Sequence, residues 1–147
     1  MNSLLKKLLI VLSFCTIAGT AFAEDGVHKL VLQISDNNPQ KMNTVMNVAA
    51  NVSRLYSERG EEVEIKIVAF NAGLHMLRPD TSPVADRIAN FSKSMFNVEF
   101  QACNNTRTAM EKKSGKPVPL FDFAEIVPAG VVSMIELDEA GYTIVRP

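Results

Sequence analysis

The feature that most constrains the fold is a regular alternation of short strand-like runs and longer amphipathic runs between residues 29 and 146. The first strand is predicted at Lys29–Ser35, and a helix follows from Pro39 to about Arg59, with Asn38 as its N-cap and Gly60 after its end. Further strands are predicted at 62–70, 97–102, 122–127 and 142–146, and further helices near 82–95, from 104 and from 130 to about 141. We therefore expect an α/β domain with a doubly wound, mostly parallel five-stranded sheet and helices on both faces.

The first 23 residues have the three parts of a cleavable secretory signal peptide. Lys6 and Lys7 precede an apolar run, and Ala21-Phe22-Ala23 follows it. The run is about a dozen residues long, shorter than the roughly 20 that cross a bilayer, so we expect no stable membrane anchor. Cleavage near Ala23 would leave a single domain over residues 24–147 in the periplasm or outside the cell.

Charge argues against a nucleic-acid partner. The formal net charge of the whole sequence is −1, and because the first 23 residues contain two lysines and no acidic residue, their removal would change it to −3. A small basic group, Lys112, Lys113 and Lys116, lies in a polar stretch that we predict to be an exposed loop.

Cys103 is the single cysteine that would remain after cleavage, since Cys15 lies in the signal segment. It follows the predicted third strand and directly precedes a helix that begins with Asn104, Asn105 and Thr106. Free N–H groups and the positive end of the helix dipole favour a thiolate at such a position. Persulfide formation or mixed-disulfide exchange would then be chemically reasonable. The alternative is a buried, unreactive cysteine that only fills space.

Several segments resemble, in the same order, those of the DsrE/DsrF-like proteins. They are Val31 to Asn37, Val98 to Thr106, Val127 to Val131 and the terminal Arg146-Pro147. The resemblance implies a YchN-like α/β sandwich that assembles as a homo-oligomer, a trimer or hexamer, and acts in a sulfur relay through a cysteine persulfide. Asn104 stands where many relatives have glycine, and the export signal sets this chain apart from cytoplasmic carriers. The sulfur donor and acceptor, which could be proteins or small thiols, therefore stay open.

The leading hypothesis is an exported protein in which Cys103 accepts sulfane sulfur or forms a mixed disulfide and then passes it on. Such a protein would be a sulfur carrier or sulfurtransferase-like relay rather than a turnover enzyme. Asn104, Asn105 and Thr106 would stabilise the sulfur anion, and His75, in the loop after the second strand, is a possible helper. The rival hypothesis is a non-catalytic oligomeric module that binds a ligand or protein and has a structural cysteine.

No cofactor or metal is predicted. The sequence lacks zinc-ligand spacing, a Walker loop, a nucleophile elbow and a dinucleotide-binding glycine motif. Thioether, imidazole and thiolate groups would suit an exported copper site involving His75 and Met76, which we rank third. The spacing of Met42 and Met46 instead predicts that both fill the core beneath the first helix.

Overall fold

The computed structural model describes residues 26–147, so the predicted signal segment and its cleavage site lie outside the described residues. None of the helices in this part of the chain combines the length and apolar character needed to cross a bilayer. The elements follow one another in the order β1 (His28–Ile34), α1 (Pro39–Glu58), β2 (Val63–Ala69), a 3₁₀ helix (Asn71–Leu77), α2 (Ala85–Ser94), β3 (Val98–Cys103), α3 (Asn104–Ser114), β4 (Ala124–Val127), α4 (Gly130–Glu139) and β5 (Thr143–Val145).

The five strands form one sheet in the order β4-β3-β2-β1-β5, and every neighbouring pair is parallel. The connections from β1 to β4 all step in one direction, whereas the connection through α4 returns to the far side of β1. Because such crossovers are right-handed, helices whose connections move in opposite directions along the sheet lie on opposite faces of it. The predicted α/β class, with a parallel sheet and helices on both faces, is confirmed.

The two faces of the sheet differ in the size of the hydrophobic cluster that packs against them. A large hydrophobic cluster joins one face to α1, the 3₁₀ helix and α2, with Met110 of α3 at its edge. Met42 and Met46 belong to it and are fully buried, so their predicted role in the core is confirmed. The other face has a small cluster around Val31 and Val68, which Met134 and Leu137 of α4 help to cover.

Helix α1 begins and ends at the residues that the sequence indicated. Its N-cap is Asn38, whose side-chain oxygen accepts hydrogen bonds from the N–H groups of Gln40 at 2.8 Å and Lys41 at 3.3 Å. Gly60 follows its end with a φ of +72°, in the left-handed region that glycine adopts without a steric penalty. These local signals therefore determine both helix ends.

Helix α3 is longer than predicted, which corrects the expectation of a loop at residues 112–117. Lys112 and Lys113 lie in its last turn, and Gly115 closes it with a φ of +66°. The positive side chains interact favourably with the negative end of the helix dipole, and a left-handed glycine is a common helix terminus. The loop is confined to residues 115–117, which include Lys116, and all three lysines are exposed as predicted.

Candidate functional site

Cys103 lies where the sheet connections change face. It is the last residue of β3 and pairs with Val127 of the edge strand β4. The chain leaves β3 directly into α3 on the face of the large cluster, whereas it leaves β4 through two residues into α4 on the opposite face. The N-termini of both helices therefore flank the same point. Crevices at such switch points, at the carboxyl ends of parallel strands, are where open α/β sheets bind ligands.

The cysteine is itself the N-cap residue of α3, with a φ of −66° and a ψ of 113°. An N-cap side chain ordinarily supplies an oxygen that accepts from the N–H groups of the second or third helical residue. Here a sulfur atom has that place, but no side-chain hydrogen bond caps the helix, and the Asn105 N–H donates instead to the Pro128 carbonyl at 3.2 Å. The stabilisation of a sulfur anion by Asn104, Asn105 and Thr106 stays a prediction from the sequence. Asn104 begins the helix and is exposed.

Gly130 is a part of the site that local sequence signals did not reveal. It begins α4 and lies directly beside the Cys103 side chain. A β-carbon at residue 130 would lie 3.3 Å from the Cβ of Cys103 and 3.2 Å from that of Phe70, closer than side chains normally approach. Glycine therefore allows the helix end to come close to the thiol. A glycine at a helix start was visible in the sequence, but its nearness to Cys103 depends on the pairing of β3 with β4.

These contacts act on the ionisation of the thiol. Burial by itself raises the pKa of Cys103, but the polar groups around the thiol, namely the Thr106 hydroxyl and the N–H groups of Gly130, Thr106 and Asn105, lower it by more. The pKa of the thiol is consequently below its usual value. The groups responsible are a hydroxyl and backbone dipoles, which stabilise negative charge at a fixed position without a positively charged side chain.

Cys103 is one of the buried apolar residues of the domain. Cys103 is only 5% exposed, yet it is a member of neither hydrophobic cluster. Three exposed residues, Asn71, Asn104 and Asn105, lie in the strand-end loops around it. The thiol is therefore buried at the carboxyl edge of the sheet, where exposed polar residues begin the neighbouring helices.

His75 lies in the 3₁₀ helix after β2, and its contacts are with other residues. Its Nδ1 is 2.8 Å from the hydroxyl oxygen of Thr81. Burial lowers the pKa of its imidazole, the positive charge of Arg78 lowers it further, and Asp80 acts in the opposite direction. None of these contacts joins His75 to Cys103, so its helper role stays a prediction from the sequence.

A second polar cluster lies on the sheet face that α4 covers in part. The Lys66 ammonium group contacts the carboxylates of Glu64, at 2.9 Å, and Glu99. Tyr142 is almost fully buried beside it, and burial together with a hydrogen bond to Glu64 raises the pKa of its phenol to about 12. Within residues 26–147 no group of three or more His, Cys, Asp or Glu side chains is arranged to hold a metal ion.

Two shallow grooves of about 890 and 420 Å³ lie near the opposite, amino end of the sheet. Ser53, Met95 and Asn97 line the larger one, and Tyr56 lines the smaller. Cys103 borders neither of them. The thiol therefore lies apart from both grooves.

No protein-family model matches the sequence, and no curated protein matches it. A solved structure is similar to it: MTH1491 from Methanobacterium thermoautotrophicum, a protein of unknown function. The two chains are 26% identical with a TM-score of 0.64, and the match covers 82% of this chain and 99% of that one. The similarity supports the α/β fold. The resemblance to DsrE/DsrF-like proteins stays a prediction from the sequence segments.

Proposed function

We propose that the protein is a sulfur carrier in which the Cys103 thiolate accepts a sulfane sulfur atom and passes it to an acceptor thiol. The observation on which the proposal depends is the convergence of two helix N-termini on the sulfur of Cys103. The N–H groups of Asn105, Thr106 and Gly130 and the hydroxyl of Thr106 all favour its anionic form. A thiolate is the nucleophilic form of cysteine, so this position suits sulfur transfer.

The loading step is a thiol exchange at a sulfane sulfur. The Cys103 thiolate attacks the outer sulfur of a persulfide donor, R–S–SH, and a new S–S bond forms as the S–S bond of the donor breaks. The donor leaves as the thiolate R–S⁻ with the bonding electron pair, and the proton stays on the transferred sulfur. Sulfur passes on when an acceptor thiolate attacks the outer sulfur of the Cys103 persulfide. Neither step needs an oxidant, a reductant or a metal.

The low exposure of Cys103 bears on the size of the donor. Because the residue is 5% exposed, a reagent reaches the sulfur only where the loop residues around it move apart. A small polysulfide or low-molecular-weight persulfide needs a smaller opening than the docked active site of another protein. The site thus favours small donors, and the transferred sulfur would point outward between the starts of α3 and α4.

The proposal is tested by treating the protein from residue 24 onward with inorganic polysulfide and measuring the mass of the intact chain. We expect addition of sulfur to Cys103 and none in the Cys103→Ser variant. A matched control is Cys103→Ser/Ser114→Cys, which moves the one thiol to the exposed, negative end of the same helix. Sulfur uptake by that control thiol under conditions that leave Cys103 unmodified would contradict the proposal.

A second candidate is a binding module in which Cys103 only fills space. It is favoured by the outer side of α4, where Val131, Val132 and Ile135 are half exposed, and by the low exposure of the thiol. Exposed apolar groups of this kind are typical of protein contact surfaces. The Cys103→Ser variant separates the two candidates, because the binding module keeps its partner affinity and oligomeric state while the carrier loses sulfur uptake.

We also propose that the outer side of α4 joins copies of the chain in a homo-oligomer. One helix covers only part of that face of the sheet, although parallel sheets are normally covered on both faces. Replacing Ile135 with Asp should reduce the mass measured by light scattering, and an unchanged mass would count against this surface. The proposed export is checked by isolating the protein from the periplasm and asking whether it begins at Glu24.

A further inference from the structure

The first turn of α4 has little apolar surface with which to pack against the sheet. Within this helix only Gly130 and Ser133 are buried, and neither has a large apolar side chain. Met134 and Leu137 are partly buried against the small cluster on this face, and no side chain caps the start of the helix. Burial of apolar surface therefore contributes little at the first turn, so its position depends on the contacts of Gly130 and Ser133.

The hydroxyl group of Ser133 connects this turn to the sheet. It donates a hydrogen bond of 2.7 Å to the side-chain carbonyl of Gln101, and both residues are buried. Gln101 lies on β3 two residues before Cys103, so the two side chains are on the same face of the sheet. A hydrogen bond between buried groups is costly to break, because each partner is left unsatisfied. The contact therefore ties the start of α4 to the strand that ends in the cysteine.

The charged cluster on this face orients the Gln101 amide. The amide nitrogen donates to the Glu99 carboxylate at 2.9 Å, and the other carboxylate oxygen of Glu99 contacts the Lys66 ammonium group. An ionised carboxylate can only accept, so the amide nitrogen must face Glu99 and the amide oxygen is left for Ser133. The ion pair on β2 and β3 thus fixes the acceptor to which the α4 hydroxyl donates.

The turn that Ser133 fixes lies against the side chain of Cys103. A β-carbon at Gly130 would be 3.3 Å from the Cβ of Cys103, and the cysteine is 5% exposed. One backbone hydrogen bond also holds the segment before α4, from the N–H of Asn105 to the Pro128 carbonyl at 3.2 Å. Movement of the first turn away from β3 would therefore uncover Cys103 on the α4 side.

We propose that the contact between Gln101 and Ser133 holds the start of α4 against Cys103 and thereby limits the size of the donor that reaches the sulfur. Gln101 and Ser133 are positioning residues, because they act through the helix start and do not touch the donor. The inference rests on the proposed function and narrows its substrate class to small sulfane sulfur compounds, of which inorganic polysulfide is an example.

The experiment compares how fast two maleimides, the small N-ethylmaleimide and the bulky fluorescein maleimide, label Cys103 in the protein from residue 24 onward. Ser133→Ala removes the hydroxyl, and Gln101→Met removes the amide at similar length. Each should accelerate labelling by the bulky reagent roughly three- to tenfold, the effect of one lost hydrogen bond, and labelling by the small reagent less. Two matched controls should be labelled like the wild type: Ser133→Thr, which keeps the hydroxyl, and Ser53→Ala, which removes a hydrogen bond of 2.8 Å from Asn97.

The double variant Gln101→Met/Ser133→Ala should be labelled no faster than Gln101→Met alone, because both changes remove the same contact. Equal acceleration of both reagents would overturn the inference, since general loosening of the fold exposes the thiol to both alike, and so would wild-type rates in the single variants. If Gln101→Met does not fold, as judged by circular dichroism, Ser133→Ala decides by the same criterion. Because labelling involves no sulfur donor, failure of this inference is distinguishable from failure of sulfur uptake.

Discussion

Replacing Gly73 with alanine should destabilise the protein more than the same exchange at Gly60. A β-carbon at residue 73 would lie 2.2 Å from the Ile34 carbonyl oxygen, 2.6 Å from its carbonyl carbon and 2.8 Å from the nitrogen of Ser35. All three atoms belong to the backbone at the end of β1, so no change of rotamer relieves the overlap. Either the 3₁₀ helix or the strand end must move.

The expected cost comes from comparing this overlap with ordinary overpacking. Extra carbons in a well-packed interior typically cost about 1–3 kcal/mol, and contacts with immobile backbone belong at or above the upper end. With a urea m-value of about 2 kcal/mol/M, a loss of about 3 kcal/mol lowers the unfolding midpoint by roughly 1.5 M. Gly60→Ala is the matched control. Nothing lies within 4 Å of its added carbon, and only its φ of +72° is unfavourable, at about 1 kcal/mol.

The assay is equilibrium urea unfolding of both variants, followed by far-ultraviolet circular dichroism. A midpoint for Gly73→Ala that equals or exceeds that of Gly60→Ala would refute the reasoning. It would mean that the close approach of the loop to β1 is not maintained in solution.

Two further predictions concern the other face of the sheet. Gly130→Ala should push the start of α4 away from Cys103 and lower the acid dissociation constant of the thiol roughly three- to tenfold. The measurement is the rate of Cys103 alkylation across pH. Unchanged ionisation would show that the Gly130 N–H does not act on the sulfur. Since the folded-state pKa of Tyr142 is raised from 10.0 to about 12, its contribution to stability is complete below pH 10 and is lost as the pH rises toward 12. Tyr142→Phe should therefore lose less stability than the wild type over that window, by up to about 1.4 kcal/mol per pH unit. Equal losses in the two proteins, measured as urea midpoints at each pH, would disprove the raised pKa of Tyr142.

Much of the fold follows from local sequence signals. Asn38, Pro39 and Gly60 define the ends of α1, and the alternation of strand and helix patterns gives the parallel sheet. The predicted boundaries of helices are wrong where the local residues fit more than one structure. Ser82-Pro83 suggested a helix start, but the Ser82 hydroxyl donates to the carbonyl of Met76 and accepts from the N–H of Val84, so it stabilises a turn and α2 begins at Ala85.

The candidate site was only half visible in the sequence. The position of Cys103 between a strand and a helix could be read from its immediate neighbours. Gly130 and Asn71 come from other parts of the chain, and they reach the site only because β3 lies between β2 and β4. The order of strands in a sheet depends on long-range packing, which no short segment specifies.

Cys103 begins α3 as well as providing the sulfur, so the chemical state of that sulfur should affect how the helix starts. When the persulfide ionises, its negative charge lies on the outer sulfur atom, about 2 Å further from the first turn of α3. The N–H groups of that turn would then interact less with the charge, and their amide hydrogens should exchange faster with solvent. A loaded carrier would thus have a looser first turn than an empty one, and a partner that touches only this turn could tell the two forms apart.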